Sequence, residues 1–282
     1  MALSRQSLLE WCLLLVVVAF YLPTLAEIGH AWSTHRYAAH GMLVPVLSAL
    51  ILWSRGHQLG NRLGPRCPAG LVLLGAGVGL AGVGHATQSV VPHVVSIVLA
   101  VSGVMLWLRG PDWMRPAVAP LAFLLFMLPV PREVVGAVTL PLQHFAADFA
   151  AGALPLVNIP VSQAGLLLRL TNVQLQVDES CNGLRFLMVL LVITIAFGLM
   201  HLPRWQQRLT VIAAAVAAGV LANAVRVTSI AIAAHVVGPH AAMGSLHDYA
   251  GRTVWLLTLT SILGFGVVLG WKARHSERAG LT

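Results

Sequence analysis

Charge is what this sequence has least of. Asp, Glu, Lys and Arg together make up 9% of 282 residues, while hydrophobic residues make up 58%. A water-soluble domain of this length could not cover its surface with so few polar groups, so a soluble globular fold is excluded. Cysteine is scarce too, with three residues at 12, 67 and 181 and no Cys-x-x-Cys pair. That excludes a disulfide scaffold and a thiolate zinc site. Also missing are His-Glu-x-x-His, the Gly-x-x-x-x-Gly-Lys phosphate loop, Gly-x-Ser-x-Gly, and any two histidines at i, i+4 within one apolar run. A zincin, an ATP-driven pump and a serine hydrolase of the common kind therefore lack their signatures, and no metal or cofactor is expected.

What is present is long apolar runs. Mean hydropathy is +0.84. Candidate spans lie at residues 8–25, 38–54, 69–84, 93–108, 117–131, 183–202, 209–237 and 253–271. Because crossing a bilayer takes ~20 helical residues, an all-α polytopic membrane fold of about eight helices is expected. The net charge of +8 does not point to nucleic acid, since the basic residues are scattered among short connectors. Arg5, Arg55, Arg62, Arg66, Arg109, Arg115, Arg204, Arg208, Lys272, Arg274 and Arg278 fall on one side if the amino terminus is cytoplasmic; these are eleven of the 17. The expectation is therefore both termini inside, with the first span kept as a signal anchor rather than cleaved after Thr24-Leu25-Ala26. The whole chain, 1–282, reads as one integral membrane domain.

Residues 132–180 break the alternation of span and short loop. Val134, Val138, Leu142, Phe145 and Phe149 recur at helical spacing between Glu133, Gln143, His144 and Asp148. That pattern predicts an extracytoplasmic amphipathic helix, bent at Pro141. The period then changes to two: Leu166, Leu168 and Leu170, then Val173, Leu175 and Val177 alternating with Gln174, Gln176 and Asp178. With Thr171-Asn172 between the runs, a short β-hairpin is predicted, leading directly to Cys181.

Cys181 stands in Glu179-Ser180-Cys181-Asn182-Gly183-Leu184-Arg185, at the expected extracytoplasmic mouth of the sixth span. Most membrane cysteines are buried small hydrophobes. Here Asp178 and Glu179 precede a helix start whose amides would stabilise a thiolate, and Gly183 would admit a substrate backbone. A thiol nucleophile also needs a proton shuttle and a cation or dipole for the oxyanion. Arg226 lies deep in an apolar run, where an ionised side chain costs at least ~2.5 kcal/mol, so it should face the bundle with a partner. Seventeen residues from position 209 rise ~25 Å, which puts Arg226 on the Cys181 side. Asn223, three residues earlier, shares its face. A structural ion pair of Arg226 with Glu179 or Asp248 is the competing reading. His247, beside Asp248 before the last span, is the candidate acid and base, with His235 and His240 as competitors.

In order and spacing, these residues resemble the exosortases, bacterial relatives of the archaeosortases. The resemblance runs through Tyr37-Ala38-Ala39-His40-Gly41-Met42-Leu43-Val44-Pro45, Met127-Leu128-Pro129-Val130-Pro131, Pro141-Leu142-Gln143, Ile159-Pro160-Val161, the cysteine motif, Asn223-Ala224-Val225-Arg226 and His247. It implies a catalytic Cys181, Arg226 and His247, with Glu179, Asn182, Gly183, Arg185, Asn223, Asp248 and His40 in support. Asn182 stands where family members often carry a smaller residue. The chain ends soon after its last span, so no extra soluble domain is expected. The implied activity is cleavage of a C-terminal sorting tail of PEP-CTERM type through a thioester, at the bacterial inner membrane. The expected partners are exported proteins that end in a short motif, a transmembrane helix and a basic end. A surface polysaccharide or lipid is the candidate acceptor. A transporter or export factor for polysaccharide or lipid-linked intermediates, without a covalent step, is the alternative, with Arg226 marking an anionic-ligand path.

Overall fold

In the computed structural model, residues 5–35, 37–56, 65–181, 183–242 and 245–279 are described. They form two compact units, Met1–Pro129 and Val130–Thr282. Seven helices among the described residues are long and apolar enough to cross a membrane: Leu14–Thr34, Ala69–Thr87, Val90–Arg109, Arg132–Val157, Leu184–His201, Trp205–Val237 and Gly251–Lys272. A polytopic helical membrane fold is thus observed, and six of these spans match expected ones.

The first unit contains α1 (Arg5–Thr34), α2 (Val44–Ser54), α3 (Ala69–Thr87), α4 (Val90–Arg109) and α5 (Pro111–Phe123). Helices α3 and α4 touch along small residues. A Cβ on Gly70 would meet the backbone of Trp107 and Gly103, one on Gly103 would meet Gly70 and Leu74, and one on Gly77 would meet Ser96 and Ala100. Lipid tails give two helices no hydrophobic reason to associate, so close backbone approach through glycine supplies the packing.

Two expected spans, 38–54 and 117–131, are shorter than a bilayer. The helical part of the first is α2, preceded by a 3-10 turn at Ala39–Met42, and α5 gives way to a 3-10 turn at Leu124–Met127. The prolines explain how such short pieces hold together. Pro120 has no N–H to offer the Pro116 carbonyl four residues back, and Arg55 Nη1 donates to that oxygen instead, at 2.9 Å. The α5 terminus leaves the Pro120 carbonyl open as well, and Ser48 Oγ donates to it at 2.7 Å.

The second unit opens with α6 (Arg132–Ala153), which runs through Pro141 without interruption. Its buried face is Thr139, Gln143, Ala146, Ala147 and Ala150. Val134 and Phe145 of the large apolar stripe are exposed instead. Small residues pack inward and large ones face outward, the arrangement of a helix whose outer side meets lipid. Its length and composition would also allow a crossing.

The β structure is a three-stranded antiparallel meander, β1 (Val161–Ala164), β2 (Leu167–Leu170) and β3 (Gln174–Gln176). The β2–β3 hairpin pairs Leu168 with Leu175 around Thr171-Asn172, as its period predicts. The added strand β1 pairs Val161 with Leu170 and Ala164 with Leu167. Leu168, Leu170 and Val177 pack with Ala146, Ala147, Ala150 and Leu154 on one side and Ala224, Val227 and Ala231 on the other. This fixes the sheet in one core with α6 and the helix that carries Arg226.

After the sheet come α7 (Leu184–His201), α8 (Trp205–Val237) and α9 (Ser245–Ala279). Residues 202–204 connect α7 to α8. Arg208 Nε donates to the Leu202 carbonyl at 2.8 Å, which satisfies an acceptor that the end of α7 leaves open.

Candidate active site

Cys181 is the last residue of a 3-10 turn, Glu179–Cys181, placed by the sheet at its amino-terminal side and by α7 at its other. Its amide donates to the Asp178 carbonyl at 3.0 Å, and its half-buried side chain packs against the cluster that holds the sheet. α7 therefore begins after the cysteine, with Gly183 as its N-cap. Gly183 has φ +71°, and a Cβ there would overlap the Asn223 side chain. Both constraints require glycine at this position.

Asn223 is the link between the turn and α8. Its Nδ2 donates to the Cys181 carbonyl at 2.7 Å, and its Oδ1 is buried with no hydrogen-bond partner among the described residues. One turn later, Arg226 is 6% exposed. Its guanidinium lies 5.6 Å from the centre of the Phe186 ring, a cation–π contact that holds the charge on the inner side of the helices. The same guanidinium faces Gly251 of α9, where a Cβ would come within 3.0 Å of Nε. Gly183, Phe186, Asn223, Arg226, Gly251 and Trp255 line one narrow cleft between α7, α8 and α9. Trp255 Nε1 donates to the Phe186 carbonyl at 3.4 Å and closes the wall between α7 and α9.

His247 lies in the first turn of α9, four residues before Gly251, so the two positions share a helix face. The side chains of His247 and Asp248, and the whole of Asn182, lie outside the described residues. The two competing histidines are placed elsewhere. His235 is nine residues beyond Arg226, ~13.5 Å along the helix axis, and its Nδ1 is 2.9 Å from Asn172 Oδ1 at the hairpin tip. His240 is exposed in the 3-10 turn Pro239–Ala242.

The family model for transmembrane exosortases matches residues 32–265. The chain belongs to the transmembrane exosortase family. No curated protein and no solved structure is matched. The family assignment carries a membrane location and makes this cleft, lined by Gly183 of the cysteine motif and by the intramembrane arginine but not by Cys181 itself, the first place to look for its chemistry.

Among the supporting residues, Gly183 and Asn223 belong to the cleft. Glu179 and Arg185 are exposed. His40 is buried in the first unit, where its ring hydrogen-bonds the backbone at Phe126 and Tyr37; burial nevertheless sets its pKa below 6.5. Beside it, a Cβ on Gly41 would overlap the Trp32 indole, whose Nε1 donates to the Met127 carbonyl at 3.2 Å. The sequence reading missed Phe186, Gly251 and Trp255. The signal for Gly251 was a glycine one helical turn after His247, and for Phe186 an aromatic beside the cysteine motif.

Proposed function

We propose that this exosortase is a cysteine protease and transpeptidase that cleaves the C-terminal sorting signal, of PEP-CTERM type, from exported proteins. The observation that carries the reading is the tie from Asn223 to the Cys181 carbonyl, which fixes the cysteine turn to the helix that presents Arg226. In this reading the Cys181 thiolate attacks the scissile carbonyl carbon and the carbonyl electrons move onto oxygen. Arg226 stabilises that oxyanion from a site without bulk water, where a fixed cation acts most strongly. The C–N bond then breaks while His247 gives its proton to the leaving amine. The acyl group stays on Sγ as a thioester. Water, or an acceptor on a surface polysaccharide or lipid, attacks that carbon and returns the thiol.

The basic residues support a topology with both termini cytoplasmic and Cys181 on the outer face of the bacterial inner membrane. The cleft would then open where a sorting motif emerges from the bilayer. Expressing Cys181→Ala and Cys181→Ser with an epitope-tagged substrate tests the nucleophile. Both variants should leave the substrate full length, and cleavage that persists in Cys181→Ala overturns the reading. A membrane-impermeant thiol reagent applied to spheroplasts tests the face: it should label Cys181, and labelling only after lysis would contradict the topology.

A further inference from the structure

Away from this cleft, three residues far apart in sequence converge in the first unit. Glu27 comes from α1, His85 from the last turn of α3 and His93 from the first turn of α4. Each carboxylate oxygen faces a different imidazole. His85 Nδ1 is 3.0 Å from Glu27 Oε1, and His93 Nε2 is in contact with Glu27 Oε2. The three ligand atoms all lie within 4.8 Å of one another. Tetrahedral zinc holds its ligand atoms about 3.3 Å apart, given a metal–nitrogen bond of about 2.0–2.1 Å. Small side-chain shifts therefore suffice.

His93 is the residue that asks for an explanation. It is 1% exposed; Nε2 is engaged by Glu27 Oε2, whereas Nδ1 is buried with no hydrogen-bond partner among the described residues. Burying an imidazole that way is unfavourable unless something else engages it. Its position is built in: a Cβ on Gly84 would overlap the His93 ring, so the glycine makes the room the ring occupies. The two imidazoles meet edge to face, with centroids 4.6 Å apart. Behind His85, Thr24 Oγ1 is 3.5 Å from Nε2. A histidine that binds metal through one nitrogen and leans on an oxygen through the other has its tautomer and ring plane fixed. Glu27 and His85 are each more than a third exposed, which gives an ion a way in.

We propose that Glu27, His85 and His93 form a binding site for zinc or a like first-row divalent cation, joining α1, α3 and α4 at one end. Two imidazole nitrogens and one carboxylate suit a borderline cation better than Mg²⁺ or Ca²⁺, which prefer all-oxygen shells. Three protein ligands leave a coordination position for water. The proposal does not depend on the peptidase reading.

The test uses the full chain, purified in detergent with a tag free of histidine, stripped with chelator, equilibrated with zinc and desalted. Metal analysis should find about one zinc per chain that Cys181→Ala retains. Glu27→Gln and His85→Gln should each weaken binding about 100-fold or more. Because His85 is partly exposed, His85→Gln should stay folded, and its melting temperature should no longer rise with zinc as that of the parent protein does. Co²⁺ in place of zinc should give visible bands with the parent chain and none with His85→Gln. A parent chain that takes up no zinc, or a His85→Gln chain that binds it equally well, overturns the proposal.

Discussion

Cys181 and Arg226 sit in contrasting surroundings. The cysteine is half-buried on a short turn held at its carbonyl by Asn223, whereas the guanidinium is buried over Phe186. If Arg226 holds an oxyanion, a lysine will not replace it, since a point charge on a flexible stem lacks the fixed planar fork. Arg226→Lys should lower substrate cleavage by about 10²–10³-fold without loss of folded protein. Cleavage assays with detergent-purified enzyme check this; near-normal turnover would return Arg226 to a structural role. Gly183→Ala should destabilise the protein by ~1–3 kcal/mol, because alanine must adopt a positive φ and overlap Asn223. The thermal midpoint reads that loss directly. His40 gives a pH effect of known sign. Burial disfavours its charged form, so its folded pKa lies below 6.5 and the unfolded chain takes up the proton first. Its contribution to stability is complete above pH 6.5 and is lost as pH falls below that value. Melting temperatures measured across this range should fall less steeply for His40→Asn than for the parent protein.

At the scale of elements, the period-two runs made the β2–β3 hairpin legible, because alternation over ten residues has no helical reading. Strand β1 was not legible: Val161-Ser162-Gln163-Ala164 is too short to carry a period, and it exists through pairing with β2. The lengths of α2 and α5 escaped for a different reason. Hydropathy reports apolar length and is blind to the proline carbonyls of α5, which Arg55 and Ser48 of the α2 segment satisfy across the helix pair. On α6 the large apolar Val134 and Phe145 are exposed while Ala146, Ala147 and Ala150 are buried, because large residues mark the lipid side and small ones the packed side in this solvent. The glycines of α3 sort accordingly. A Cβ at Gly70 meets backbone atoms, while Gly75, Gly79 and Gly82 have open space around theirs. Gly70→Ala should therefore lower the melting temperature, at a cost of about 1–3 kcal/mol. Gly82→Ala should leave it unchanged or raise it by up to ~1 kcal/mol of helix propensity. Equal effects would refute the α3–α4 packing account.

For the whole molecule, the composition alone was enough for the membrane class, because 9% charge cannot clothe 282 residues in water. The candidate site was half legible: the cysteine motif is contiguous, and a lone arginine in an apolar run draws attention to itself. Its walls, Phe186 of α7 and Gly251 and Trp255 of α9, come from separate helices and have no local signature. The Glu27, His85 and His93 cluster was illegible for the same reason, since 58 residues separate Glu27 from His85. On the proposed topology, a fluorescent protein fused after Thr282 should fluoresce and an alkaline phosphatase fusion there should be inactive. The central claim is an acyl group carried on Cys181, and hydroxylamine added during cleavage tests it, because its nitrogen attacks a thioester carbonyl and releases the thiol. Mass spectrometry of the substrate's new carboxyl terminus should then find the hydroxamate with the parent enzyme and no cut with Cys181→Ala. A free carboxylate alone at undiminished yield, or the same cut made by Cys181→Ala, would contradict the account.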